Sequence, residues 1–86
     1  MRRLGIDLRL FILHKSLLNL RSRRLGAEPL YSVGWLATYL ESEYSVPYEV
    51  TEEEVRRLEA EGLVEVERKM PPRELVESCV AERRVH

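Results

Sequence analysis

At 86 residues the chain has room for one domain, 1–86, with a modest core, and is small enough that oligomerisation would help it considerably. Its single cysteine excludes an internal disulfide and any multi-cysteine metal site, and suits a reducing cytosol. Fourteen Lys plus Arg against fifteen Asp plus Glu leave a formal charge of −1, so the total alone gives no hint of a nucleic-acid partner.

The signs are nevertheless segregated. Met1 to Leu30 holds seven bases and two acids, Tyr31 to Glu67 two bases and ten glutamates, and Arg68 to His86 five bases and three acids. Basic ends flanking an acidic middle would meet an anionic partner with the ends, or pair opposite signs between subunits. The absence of Gln, the single Asn and the abundance of Arg and Glu are expected of a thermophilic source, where ion pairs are favoured over thermolabile amides.

The first predicted element is a helix from about Ile6 to Arg24. Ile6, Leu10, Leu13, Leu17 and Leu20 form one stripe at three and four spacing, and Leu4, Leu8, Phe11, Leu18 and Leu25 a second. One stripe can face the domain's own core. The other is more apolar surface than a small monomer normally exposes, so a homodimer through helix one is expected. The alternative is one broad buried face with His14 and Arg21 snorkelling between the stripes. The only continuous apolar run near the N-terminus, Leu10-Phe11-Ile12-Leu13, is too short for a signal or a membrane span, which predicts a cytoplasmic protein with no membrane partner.

Gly26-Ala27-Glu28-Pro29 breaks the helix, and Leu30 and Tyr31 follow as a short extended segment. Ser32 can cap helix two, Val33 to Tyr44, whose core stripe is Val33, Leu36, Ala37, Leu40 and Tyr44, with Trp35 and Tyr39 as a packing pair on its flank. Ser45-Val46-Pro47-Tyr48-Glu49 reads as the turn into helix three, longer than a compact helix-turn-helix connection.

Helix three is predicted over Glu52–Glu61. Thr51 and Glu54 have capping-box spacing, Val50 and Val55 that of a hydrophobic staple, and three glutamates at the start suit the macrodipole. Gly62 supplies a left-handed stop, with Leu63 folding back on Leu58. Leu63 to Arg68 then alternates apolar and charged residues, as a half-buried strand does. From 74 to 84 the patterns divide. Prolines at its start, Glu74 and Glu77 early, Arg83 and Arg84 late, and the Leu75, Val76, Cys79, Val80 stripe favour a helix. The other reading is a second strand, since Val64 and Val66 need a partner.

A capped helix ending Leu58-Glu59-Ala60-Glu61-Gly62-Leu63-Val64 and passing straight into a charged strand resembles the third helix and first wing strand of winged helix-turn-helix proteins, over roughly Tyr31 to Arg68. The resemblance implies a mainly α fold with a small β wing, three to four helices plus one or two short strands. It also implies double-stranded DNA as the partner, with helix three in the major groove of a two-fold site and a role in transcription regulation.

With Val55 and Leu58 inward, Arg56 and Arg57 face outward and can fork onto guanine edges or grip phosphates. Tyr48 and Thr51 would add phosphate contacts from the turn and helix start, and Arg68, Lys69 and Arg73 from the wing. The glutamates of the same helix would repel phosphate unless they turn away or pair with the arginines. The alternative is a protein-interaction winged helix, an accessory subunit of a larger complex docking through its apolar first helix and acidic middle.

Nothing points to an enzyme, a cofactor or a metal. His14 and His86 lack ligand spacing, Cys79 reads as a small buried hydrophobe, and the glycines at 5, 26, 34 and 62 form no phosphate loop. If residues 74–84 were helical, they would join helix one in the dimer contact.

Overall fold

In a computed structural model, residues 5–69 and 75–82 are described. The elements are α1 (Leu8–Arg24), α2 (Val33–Tyr44), α3 (Tyr48–Ala60), β1 (Val64–Lys69) and β2 (Val76–Ala81). The chain is therefore mainly α with a two-stranded antiparallel wing, an arrangement compatible with a winged-helix fold.

Asp7 rather than Ile6 starts the first helix, because its carboxylate accepts from the Leu10 N–H at 3.1 Å and caps the first turn. The helix turns a mixed face inward. Ile12, Ser16, Asn19 and Ser22 are buried, Leu8, Phe11 and Leu13 pack partly on the core, and Leu10 and Leu17 stay 62% and 56% exposed. The two leucine stripes do not merge into one buried face, because small side chains fill the inner side where α1 lies along β2.

The second helix follows the sequence pattern closely. Ser32 Oγ accepts from Trp35 N–H at 3.0 Å, and Val33, Leu36, Ala37 and Leu40 are buried. Tyr39 stacks on both Trp35 and Phe11, with ring centroids 5.1 and 5.8 Å away, so the flank pair expected from spacing joins α2 to α1. Lys15 lies over the Phe11 and Tyr31 rings of the same cluster.

The third helix begins a turn earlier than the capping-box pattern predicts. Ser45 ends α2 in the left-handed region at φ 59°, and Pro47, with φ −55°, opens α3 at Tyr48. The connection is thus Ser45–Pro47, as short as a compact helix-turn-helix requires. Thr51 lies within α3 and makes no cap; it is fully buried, and its Oγ1 has no hydrogen-bond partner among the described residues. The stop is as expected: Gly62 has φ 78°, its N–H donates to Glu59, and the Leu63 N–H donates to Leu58, as in a Schellman ending.

Residues 76–81 form a strand, not a helix. β2 pairs antiparallel with β1 in the register Val64↔Ala81, Val66↔Cys79, Arg68↔Glu77, and a bridge Ser32↔Ser78 lies outside the two named strands. The stripe that suggested a helix also fits a strand buried from Ser78 to Ala81 against α1, and pairing supplies what Val64 and Val66 lacked. The C-terminal segment consequently packs on its own α1 and is not a helical partner for a dimer.

Ile12, Val33, Leu36, Val55, Leu58, Val64, Val66 and Cys79 form one core from all five elements. The single asparagine fastens it. Asn19 Nδ2 donates to the Cys79 and Tyr31 carbonyls at 2.7 and 2.8 Å, and its Oδ1 accepts from Tyr31 N–H at 2.9 Å. This ties the Tyr31 segment to β2 next to the Ser32↔Ser78 bridge.

Candidate nucleic-acid interface

The outer side of α3 lies beside β1. Val55 and Leu58 are buried as the periodicity predicts, which leaves Glu53, Arg56, Arg57 and Ala60 exposed. Arg56 has no ion-pair partner among the described residues. Arg57 lies 3.5 Å from Glu53 and 3.3 Å from Glu54, at i+4 and i+3 spacing.

On the wing Arg68 donates to Glu77, its cross-strand neighbour, at 2.8 Å, with Glu59 at 3.8 Å, and Lys69 donates to Glu28 at 2.6 Å. Tyr48 is half-buried where α3 starts, its hydroxyl 3.5 Å from where a Cβ on Gly34 would stand. Thr51, fully buried, cannot reach a phosphate and leaves the candidate set. Arg73 lies outside the described residues. Arg56, Arg57 and Arg68 thus share one region, but two of the three already face carboxylates.

The wider charge balance points the same way. Between Tyr48 and Lys69 eight glutamates accompany four bases. The basic element is α1, which carries Arg9, Lys15, Arg21, Arg23 and Arg24 and no acid. Its inner-edge arginines are committed within the chain. Arg9 bridges Glu54, at 3.0 Å, and Glu61, and Arg23 lies 3.7 Å from Glu67. Hydrogen bonding to Glu61 is the largest cause that pushes the Arg9 pKa above its ordinary value. Sequence reasoning missed these pairs because their partners are 45 and 52 positions away; the segregated signs were the one trace of them.

His14 is exposed on α1. The Cys79 thiol is buried, and desolvation pushes its pKa up to about 12, so it stays protonated and unreactive at neutral pH. No group of three or more His, Cys, Asp or Glu among the described residues could hold a metal ion, and no described helix is long and apolar enough to cross a membrane.

One surface was anticipated only in outline. The outer side of α1 exposes Leu10 and Leu17, flanked by half-buried Leu13 and Leu20, with His14 and Arg21 along one edge. Comparison of the chain with protein-family models, curated proteins and solved structures finds no match.

Proposed function

We propose that the chain is a winged-helix interaction module, an accessory subunit of a larger assembly that docks through protein surfaces and does not insert α3 into DNA. The observation that carries this reading is the charge of α3. The first half of the helix, which would enter a groove first, presents Glu49, Glu52 and Glu53, and the bases beside it are largely matched by carboxylates. A carboxylate held about 4 Å from a phosphate costs on the order of 1 kcal/mol even at the dielectric of water, and several would face the duplex together. The leucine face of α1 supplies the apolar docking surface that an interaction module needs.

A second reading, a small dimeric DNA-binding regulator, is favoured by one observation: Arg56 is exposed and unpaired among the described residues in the middle of α3. The exposed pairs of Arg57 are worth only about 0–1 kcal/mol and would yield to a phosphate. Titration with random duplex DNA at low and high salt separates the two. The interaction module shows no salt-dependent binding at low salt, and Glu49→Lys plus Glu53→Lys creates it. Wild-type binding that falls steeply with salt, and is lost in Arg56→Ala plus Arg57→Ala, overturns the proposal in favour of DNA.

A further inference from the structure

We propose that the leucine face of α1 is covered by α1 of a second copy of this chain, packed antiparallel, with Leu10 opposite Leu20 and Leu13 opposite Leu17 of the other copy. The inference rests on the reading of α1 as a docking surface and names its occupant. Leu10, Leu13, Leu17 and Leu20 follow the alternating three and four spacing of a coiled-coil seam, four layers within a helix of 17 residues. The same helix places Ser16, Asn19 and Ser22 against its own core. Leu10 and Leu17 are thus turned outward between half-buried Leu13 and Leu20, and a second helix of the same spacing fits that seam.

Charge chooses the direction. Beside the seam on its outer edge lie Asp7, His14 and Arg21, and on the inner edge Arg9, Ser16 and Arg23. A parallel pair would set Arg9 against His14, with no attraction between these flanks, while Ser16 is buried in its own domain. An antiparallel pair sets Asp7 against Arg21 of the second copy at both ends. It also brings the inner edges together, where Arg9 and Arg23 are already neutralised by Glu54, Glu61 and Glu67 of their own chain. This register joins all four leucine layers, whereas a shift by seven residues pairs only Leu10 with Leu13 or only Leu17 with Leu20.

The test begins with the mass of the full chain by light scattering at micromolar concentration, then uses cysteine pairs. Leu10→Cys and Leu20→Cys are made separately; Leu10 is exposed and Leu20 half-buried at the seam, and native Cys79 is buried. Under mild oxidation the mixed variants are expected to form the 10-to-20 disulfide, while each alone forms little. Arg21→Glu is expected to weaken the dimer roughly tenfold, since two attractive flank contacts become repulsive. A monomer overturns docking between copies altogether. A dimer in which Leu10→Cys links to itself overturns the antiparallel direction while leaving α1 as the interface. A dimer in which neither cysteine links, alone or mixed, places the contact elsewhere and overturns the pairing. Leu17→Glu, at a half-exposed position, checks the seam independently: it is expected to give a folded monomer with unchanged helicity, and a folded dimer counts against the seam.

Discussion

Asn19→Leu is the sharpest test of how the wing is held to the helices. The replacement keeps the number and branching of side-chain heavy atoms, with bulkier methyl groups, and removes three hydrogen bonds: those to the Tyr31 and Cys79 carbonyls at 2.8 and 2.7 Å, and that from the Tyr31 N–H at 2.9 Å. Asn19 is fully buried and Tyr31 partly so, which lets water compensate on the Tyr31 side only. Taking about 1 kcal/mol for each Tyr31 bond and about 1–3 for a buried carbonyl left unpaired gives a loss of about 3–5 kcal/mol. Domains of this length are stable by only about 4–13 kcal/mol, so the variant should unfold at much lower urea, with its slope unchanged. The Tyr31 amide should also exchange faster with solvent, a local effect that a general packing defect would not single out. A loss below about 1 kcal/mol, with Tyr31 still protected, would refute the assignment of Asn19 as the fastener between the Tyr31 segment and β2.

Two further outcomes follow from buried groups. Thr51→Val should leave stability unchanged or raise it by up to about 1 kcal/mol in urea unfolding, because the hydroxyl it removes is buried without a partner among the described residues; a clear loss would mean the hydroxyl is bonded in solution. Cys79, with its pKa raised from 9.0 to about 12 by desolvation, should resist thiol reagents in the native state and react once denatured. The sign of the linkage is fixed by the raised value: the folded state holds the proton more tightly, so this contribution to stability is complete below pH 9 and declines as pH rises toward 12. Stability that increased over that range would contradict the buried, protonated thiol.

What was legible in the sequence was what local chemistry decides. Ser32 and the Val33, Leu36, Ala37, Leu40 stripe defined α2, and Gly62 with Leu63 defined the end of α3, because a cap or a left-handed glycine needs no distant partner. The start of α3 was misread because two local signals competed. The Thr51-to-Glu54 spacing matched a capping box, but Pro47, already at a helical φ, began the helix first and carried Thr51 inside it. The C-terminal segment stays open between helix and strand in the sequence for a different reason. Val76, Cys79 and Val80 satisfy helical spacing, and only the cross-strand needs of Val64 and Val66, more than ten positions away, decide otherwise. Asn19 illustrates the same limit, since nothing beside it in the chain announces that it bonds Tyr31 and Cys79.

The segregated charge is largely satisfied within the chain. Basic ends and an acidic middle suggested an external anionic partner, yet Arg9 reaches Glu54 and Glu61, Arg23 approaches Glu67, Lys69 meets Glu28, and Arg68 meets Glu77 and Glu59. The polarity therefore serves first to seat α1 beside α3 and the wing, joining elements far apart in the chain. Exposed pairs of this kind contribute little singly, but they remove cations from any electrostatic attraction to a phosphate backbone. Arg21 and Arg24 on the outer side of α1, and Arg56 on α3, have no ion-pair partner among the described residues. Two of these three lie on the helix whose outward leucines ask for a second helix, so the cationic surface that remains is concentrated beside the proposed protein contact and not along the helix that would read DNA.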